Sequence, residues 1–251
     1  MFIDAMGLIL ADNKMISLGE LSKPRALAAV PFGGRYRIID YMLSNYVNTG
    51  IKSVGILTLN KYKSLMDHLG TGASWDLDRK NFGLHILPPY VNSESIGMEE
   101  ADELAGILDF VRSNRTEFVI IANSNMILNT TFNEFVEKHE QSGADLSVMY
   151  NRDGTKFGIP NYIYDVDRKG YVEDMLLNPE KTTSNRCSLG IIVLRRELLI
   201  DLLSEMIARG ERNFGVHTLT KKFDTLKIRT HEYKGLVLRI NNIQSYFKAS
   251  M

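Results

Sequence analysis

Short apolar runs alternate with amphipathic segments along the first half of the chain. The apolar runs are rich in β-branched residues and bounded by Gly, Asn or Asp, which predicts buried strands. In the segments between them, apolar positions recur at helical spacing, which predicts amphipathic helices. The predicted strands span residues 6–11, 52–59, 117–124 and 145–151. The predicted helices span residues 37–50, 63–70, 98–114 and 132–143. Strand–helix alternation with apolar strands indicates an α/β fold, in which helices flank a mixed, mostly parallel sheet.

The second half of the chain has a less regular pattern. Residues 158–175 predict a β-hairpin with its turn at Asp167–Gly170. Further elements are predicted as strands at 189–194, 226–233 and 236–240 and as a helix at 195–210. Since no Pro-, Gly- or Ser-rich linker and no repeat interrupts the sequence, we predict a single domain over residues 1–251. The chain ends inside a predicted helix, so we also expect that it is truncated at its C-terminus or that a further domain is missing.

Charge and cysteine content narrow the classes of function. Thirty Lys and Arg balance thirty Asp and Glu, so the net charge is zero. A neutral chain gives no reason to expect nucleic-acid or membrane-surface partners. A single cysteine, Cys187, cannot form an internal disulfide, and the sequence contains neither a secretory signal nor a membrane-spanning apolar run. We therefore expect a cytoplasmic protein.

The most specific motif in the chain is RALAAVPFGGRYRIIDYMLSNYVNTGI, residues 25–51. It is similar to the N-terminal domain of ADP-glucose pyrophosphorylases, the glucose-1-phosphate adenylyltransferases of glycogen biosynthesis. The similarity is dense and ungapped at the turn formed by Phe32, Gly33, Gly34 and Arg35. The resemblance implies a GT-A-like, Rossmann-like nucleotidyltransferase domain. A C-terminal left-handed β-helix is expected in the full-length protein and is absent from these 251 residues.

The resemblance also places the family's triphosphate loop in this chain. In active members that loop is rich in glycine, which lets it wrap the ATP phosphates, and it carries an arginine that stabilises the leaving pyrophosphate. Here the loop falls on residues 12–17, which contain no glycine. Asp12 would repel a phosphate, and Ser17 stands in place of the arginine. The family's RAKP lysine likewise falls on Leu27.

The positions of the metal ligands are degenerate too. The family holds Mg²⁺ with two aspartates, which orient the α-phosphate and neutralise developing charge. By the resemblance, these aspartates fall on Ser124 and Ile240. The family's base-contacting motif falls on residues 99–102 and its sugar-contacting motif on residues 177–179, where the charged pair of the sugar motif is replaced. The five histidines show no metal-ligand spacing, so we expect no metal site in this chain.

This combination of a retained fold motif and lost catalytic residues resembles the GlgD-type subunit of the family. Such a subunit is catalytically degenerate and modulates an active GlgC-type homologue in a hetero-oligomer. The resemblance therefore predicts a regulatory subunit with little or no activity and no cofactor, with Mg²⁺ expected only in the active homologous subunit. The alternatives are an active adenylyltransferase of low or remodelled activity, and a module that senses a sugar phosphate.

Two arginines near the conserved turn are candidates for anion binding. In the family, the positions of Arg25 and Arg37 lie beside a regulatory site for phosphorylated metabolites, and the planar guanidinium group suits phosphate. The resemblance therefore makes these two residues candidates for contacting a sugar-phosphate effector. The alternative is that the arginines pair with Asp40 or Glu20 and only brace the turn.

Overall fold

The computed structural model of the chain describes residues 3–12, 16–58, 61–79, 82–87, 103–152, 162–177, 184–211 and 224–251. The strands in these residues are β1 (Ala5–Leu10), β2 (Pro31–Phe32), β3 (Tyr36–Arg37), β4 (Ser53–Leu57), β5 (Gly83–Leu87), β6 (Phe118–Asn123), β7 (Met126–Leu128), β8 (Leu146–Asn151), β9 (Tyr162–Val166), β10 (Val172–Leu177), β11 (Cys187–Arg195), β12 (Ile228–Glu232) and β13 (Val237–Arg239). The α-helices are α1 (Ile38–Thr49), α2 (Lys63–Leu69), α3 (Glu103–Ser113), α4 (Asn133–Ser142), α5 (Arg196–Ala208) and α6 (Ile243–Ser250).

A nine-stranded mixed sheet forms the centre of the fold. Its main path runs in the order β10-β9-β11-β6-β1-β4-β5, and β8 and β12 join it through β11. The four strands β6, β1, β4 and β5 are parallel to one another. β11 is antiparallel to β6 and β8. The predicted α/β fold, with helices flanking a mixed sheet that has a parallel centre, is confirmed.

The two faces of the sheet pack into separate hydrophobic clusters. Because side chains alternate along a strand, Ile9 of β1 points to one cluster and Leu8 to the other. The first cluster includes Tyr46 of α1 and Phe135 of α4, whereas the second includes side chains of α3 and α5 such as Leu203. None of the helices in the described residues is both long and apolar enough to cross a membrane.

Helix α1 lies very close to the central strand. Gly7 of β1 permits this approach, since a Cβ atom there would lie 2.5 Å from Cε2 of Tyr46. The buried Tyr46 hydroxyl lies 3.2 Å from the carbonyl oxygen of Leu8 and 2.9 Å from that of Ile120. The tyrosine therefore joins α1 to both β1 and β6, whose C-terminal ends form the candidate site.

The elements predicted from the long apolar runs are present, with small shifts at their ends. The helix predicted at 98–114 spans Glu103–Ser113 in the structure, and residues 98–102 lie outside the described residues. The predicted hairpin consists of β9 and β10, and residues 158–161 again lie outside. The predicted C-terminal helix is α6. The sequence pattern did not predict β2, β3, β5 and β7.

Candidate functional site

The catalytic positions expected from the sequence lie at the C-terminal edge of the parallel strands. β1 lies between β4 and β6, so the chain leaves β1 toward one side and later returns to the other. Open α/β sheets bind ligands outside such a topological switch point. Asp12 follows the end of β1 and Ser124 follows the end of β6, and the Ser124 hydroxyl donates to the carbonyl oxygen of Ala11 at 3.2 Å. The ends of the two strands are thus tied together.

The carboxylate of Asp12 accepts hydrogen bonds from two other segments. Its Oδ1 atom lies 3.3 Å from the backbone nitrogen of Leu27, and its Oδ2 atom lies 3.1 Å from Oγ1 of Thr58. The backbone nitrogen of Ala28 donates to the carbonyl oxygen of Ala11 at 3.1 Å, so the segment around Leu27 folds over the end of β1. Sequence reasoning singled out Asp12 but missed Thr58, for which no motif gave a signal.

The structure brings together Ser124 and Ile240, the two positions at which the sequence resemblance places the family's metal-binding aspartates. β13 pairs with β7 in antiparallel register, so that Arg239 lies opposite Met126. One residue further on, the backbone nitrogen of Ile240 donates to the carbonyl oxygen of Asn125 at 2.9 Å. Ile240 is 0% exposed and Ser124 is 1% exposed. Both positions are therefore buried, and they lie beside each other at the sheet edge.

Ile240 belongs to a small hydrophobic core, which we call the edge cluster. Its buried members are Leu18, Leu27, Val30, Phe32, Ile38, Ile127 and Ile240. Leu27 and Ile240 thus pack in one cluster. The sequence resemblance places the family's substrate-binding lysine at Leu27 and one of its metal-binding aspartates at Ile240. Full burial of a side chain of this size stabilises the fold by about 1.5–3 kcal/mol. The edge cluster is therefore part of what holds this side of the molecule together.

The residues present do not fit the family's magnesium ion. Mg²⁺ prefers six oxygen ligands in octahedral geometry, with carboxylates among them. Ile240 has no side-chain oxygen, and the Ser124 hydroxyl is engaged with Ala11. Of the adjacent amides, Nδ2 of Asn125 donates to Oδ1 of Asn241 at 2.7 Å, and the buried Oδ1 atom of Asn125, which has no partner among the described residues, offers a metal a single amide oxygen. Across the described residues, no group of three or more His, Cys, Asp or Glu side chains is arranged to hold a metal ion.

A buried cation precedes Ile240 in sequence. Arg239 is 4% exposed, and its Nη2 atom donates to Oδ1 of Asn151 at 3.1 Å. Burial lowers the pKa of Arg239, and nearby Cys187 and Tyr164 partly offset that effect. Arg239 therefore links β13 to β8.

Ser17, where the sequence resemblance places the family's arginine, lies beside the N-terminus of α6. It forms an isolated parallel β-bridge with Asn242, and its Oγ atom accepts from the backbone nitrogen of Gly19 at 3.3 Å. Asn242 in turn caps α6, since its Oδ1 atom accepts from the backbone nitrogen of Ser245 at 2.8 Å. Ser17 therefore contributes to structural contacts, while residues 13–15 of the same loop lie outside the described residues.

The turn of the family-like motif, residues 33–35, connects β2 to β3. Gly33 and Gly34 both have positive φ angles, 63° and 84°, and a Cβ atom on Gly33 would lie 2.4 Å from the hydroxyl oxygen of Tyr41. The guanidinium carbon of Arg35 lies 5.3 Å from the ring centroid of Tyr36. Phe32 packs into the edge cluster. Through Phe32, the motif that carries the sequence resemblance therefore also packs in the edge cluster.

Arg37 braces a neighbouring helix. Its Nη1 atom donates to both the carbonyl oxygen and Oγ of Ser64, at 2.6 Å and 2.7 Å. Its backbone nitrogen donates to Oδ2 of Asp40 at 2.9 Å, and Oδ1 of Asp40 lies 2.7 Å from Nε2 of His68. The described contacts of the Arg37 side chain are thus with Ser64 rather than with Asp40.

Arg25 has an unsatisfied donor. Its Nε atom is buried and has no hydrogen-bond partner in the described part of the chain. Glu20, the other carboxylate considered as a partner for these arginines, instead lies 3.5 Å from Nζ of Lys23. Arg25 and Arg37 therefore share no hydrogen-bond partner among the described residues.

A cavity of about 470 Å³ lies next to Ser64. It is lined by Lys61, Tyr62, Lys63, Met66 and Asp67. Lys61 has a positive φ angle of 56°, which is uncommon for a residue other than glycine. Sequence reasoning missed this cavity, and the two lysines on either side of Tyr62 were the only available signal.

Comparisons with known proteins agree with this architecture. The model of the nucleotidyl transferase family matches residues 6–229. The glucose-1-phosphate adenylyltransferase of Thermomicrobium roseum is 33% identical over 257 residues, which cover 99% of this chain and 59% of that protein. The enzyme of the same name from Thermotoga neapolitana is 34% identical over 263 residues, covering 99% of this chain and 60% of that protein. The chain thus spans about three-fifths of the length of these relatives.

A solved structure shows the same fold. It is a Bacillus anthracis protein, assigned as a glucose-1-phosphate thymidylyltransferase and crystallised with a sucrose, with a TM-score of 0.75 and 16% identity. The match covers 98% of this chain and 94% of that chain. At this identity the similarity concerns the fold alone, but the family model covers most of the sequence. This chain therefore belongs to the nucleotidyl transferase family.

Proposed function

We propose that this chain is the nucleotidyl transferase-like part of a regulatory subunit of glucose-1-phosphate adenylyltransferase in glycogen biosynthesis. It makes little or no ADP-glucose itself and modulates a catalytic, GlgC-type homologue, which converts ATP and glucose 1-phosphate into ADP-glucose and pyrophosphate. The observation that carries this proposal is the edge cluster, in which Leu27 and Ile240 pack as hydrophobic side chains where an active relative needs a lysine and a metal carboxylate.

Three positions support the loss of catalysis, because each lacks a group that an active relative would need. Ser124 is engaged with Ala11, Ile240 is buried in the edge cluster, and Asp12 holds a negative charge at the strand ends. Loss of a single charge-stabilising contact in a transition state typically lowers a rate roughly 10²–10³-fold. Because such losses concern both the phosphates and the metal, we expect negligible turnover.

The retained fold supports a role in contact with a homologue. Phe32 belongs to the edge cluster, so the packing of this cluster holds the adjoining turn at residues 33–35 in place. The relatives that match the chain along 99% of its length are named glucose-1-phosphate adenylyltransferases, which supports the substrate class of the partner. Such a subunit would keep the fold that contacts a homologous subunit, while hydrophobic side chains fill its own catalytic positions.

The test is a kinetic comparison of the catalytic homologue alone and co-expressed with the full protein that contains this chain. Pyrophosphate release is measured with ATP, glucose 1-phosphate and Mg²⁺, with and without phosphorylated effectors. We expect no release by this protein alone, and a changed kcat or effector response in the mixture. Identical kinetics with and without this chain would refute regulation, and a clear rate from this chain alone would favour the alternative of an active enzyme.

A second candidate function is the binding of a sugar-phosphate effector. Two observations favour it: the buried Nε atom of Arg25 lacks a described partner, and the cavity beside Ser64 is lined by two lysines. Lys63 forms no ion pair with another described residue, so its ammonium group is available to a phosphate. This function is compatible with regulation of a catalytic homologue.

Calorimetry with phosphorylated sugars tests the effector proposal. We compare the wild type with Arg25→Ala and Lys63→Gln, and use Lys138→Gln as a matched control because Lys138 lies on α4 and pairs with Glu134. We expect heat of binding in the wild type and the control, and a weaker signal in the other two variants. Equal heats in all four proteins, or none in any, would remove the effector proposal.

A further inference from the structure

We propose that the carboxylate of Asp12 takes the place of a ligand phosphate at the C-terminal ends of β1 and β6. By doing so, it excludes phosphorylated nucleotides from this site. The inference deepens the proposed function and rests on it, because it explains why an inherited phosphate site would stay closed in a regulatory subunit. It concerns phosphate binding by this chain, whereas the proposed function concerns regulation of a homologue, so the two can fail separately.

The position of Asp12 is one at which an α/β sheet ordinarily receives a ligand. Asp12 lies two residues after the end of β1 at the topological switch point, where β1 is flanked by β4 on one side and β6 on the other. Backbone N–H and hydroxyl groups that converge at such an edge commonly bind the oxygens of a phosphate. A carboxylate in this place offers the same kind of acceptor.

Two donors from different segments converge on the Asp12 carboxylate. The backbone N–H of Leu27 donates to Oδ1 at 3.3 Å, and the hydroxyl of Thr58 donates to Oδ2 at 3.1 Å. Thr58 is fully buried, so its hydroxyl depends on acceptors within the protein. These two groups would be an anion-binding pair if Asp12 did not already fill them.

The carboxylate excludes a phosphate in two ways. It occupies the donors that a phosphate oxygen would need, and its negative charge repels the phosphate at short range. The same contact fastens the segment around Leu27 over the end of β1, since Ala28 also donates to Ala11 at 3.1 Å. One side chain thereby closes the site and stabilises the loop that covers it.

Neutralising Asp12 should therefore create phosphate affinity. Asp12→Asn keeps an oxygen acceptor for the Leu27 N–H but removes the charge, whereas Asp12→Gly removes the internal acceptor altogether and serves as the second variant. The matched control is Asp4→Asn at the other end of β1, where Oδ2 of Asp4 accepts from the backbone nitrogen of Glu117 at 3.2 Å. This control carries the same change in net charge at a distant point.

The measurement is titration calorimetry with inorganic pyrophosphate and with ATP, without divalent metal and at constant ionic strength, on proteins whose circular dichroism matches the wild type. We expect at least tenfold tighter binding of both probes by Asp12→Asn and Asp12→Gly than by the wild type or Asp4→Asn. Equal affinity in all four proteins, or no binding by either Asp12 variant, would overturn the inference. Unchanged kinetics of the catalytic homologue in the presence of this chain would instead overturn the proposed function while leaving this comparison intact.

Discussion

Replacing Ile240 with aspartate tests whether the metal position has become part of the hydrophobic core. The change restores the kind of side chain that the family resemblance places there. If the position were still an open metal site, a carboxylate would be tolerated. In this structure the new carboxylate would instead enter the edge cluster, where Ile240 is 0% exposed.

The size of the effect follows from the burial of Ile240. Loss of its apolar contacts costs about 2–3 kcal/mol. Burying a carboxyl group adds about 2 kcal/mol or more even when the group is protonated, and an ionised carboxylate costs more. We therefore expect Ile240→Asp to lower the free energy of unfolding by about 5 kcal/mol at neutral pH. Because the folded state disfavours the charged form, the pKa of the introduced carboxyl should rise. The loss should therefore become smaller as the pH falls from that raised pKa toward the ordinary aspartate pKa of about 4.

Urea unfolding at pH 7 and pH 4 measures this loss, and Ile243→Asp provides the matched control. Ile243 is 46% exposed and lies in the first turn of α6, where a negative charge interacts favourably with the helix dipole. The control should change the stability by no more than about 0.5 kcal/mol. An Ile240→Asp variant whose stability lies within about 1 kcal/mol of wild type at pH 7 would refute the reasoning.

Two further predictions concern buried polar side chains. Burial foremost, and then Arg195, lower the pKa of His139 to about 4, with Asp145 acting in the opposite direction. Since the unfolded state binds a proton near pH 6.5, stability should fall as the pH drops from about 6.5 to about 4, and His139→Gln should show a shallower decline in urea unfolding. Tyr46→Phe removes a hydroxyl that contacts β1 and β6 and should lower the free energy of unfolding by about 1–2 kcal/mol in the same assay. The control Tyr36→Phe, at a residue 45% exposed, should leave it nearly unchanged. An equal loss of stability in the two tyrosine variants would contradict this.

The elements with strong periodic patterns could be predicted from the sequence. Buried strands such as β1 and β6 are short apolar runs, and helices such as α1 end at a glycine with positive φ, Gly50. In contrast, β5 spans only Gly83–Leu87 and is defined by its parallel pairing with β4. β7 has three residues and pairs with β13, which lies far away in the chain. Pairing between distant segments leaves no periodic signal in so few residues.

The candidate site was only partly predictable for the same reason. The residue types at Leu27, Ser124 and Ile240 indicated lost chemistry, but the sequence did not show that Leu27 and Ile240 share one hydrophobic cluster. That contact depends on the pairing of β13 with β7. Likewise, the sequence suggested that Asp12 repels phosphate, whereas its bond with Thr58 depends on how β1 and β4 lie side by side.

The arginines illustrate how a side chain's partner depends on tertiary structure. The sequence offered Asp40 as a local partner for Arg37, and the backbone nitrogen of Arg37 does donate to it. The guanidinium group nevertheless donates to Ser64 at the start of α2, where two acceptors lie within 2.7 Å. Sequence proximity identified the neighbouring carboxylate but not the direction of the long side chain.

The most direct test of the account is anomalous diffraction from crystals soaked with Mn²⁺, ATP and glucose 1-phosphate. Manganese marks a divalent-metal site by its anomalous signal, and the account states that Ser124 and Ile240 cannot hold such an ion. We predict no anomalous peak between these two residues. A peak at this position, with the ion ligated by protein oxygens from the ends of β6 and β13, would contradict the central claim.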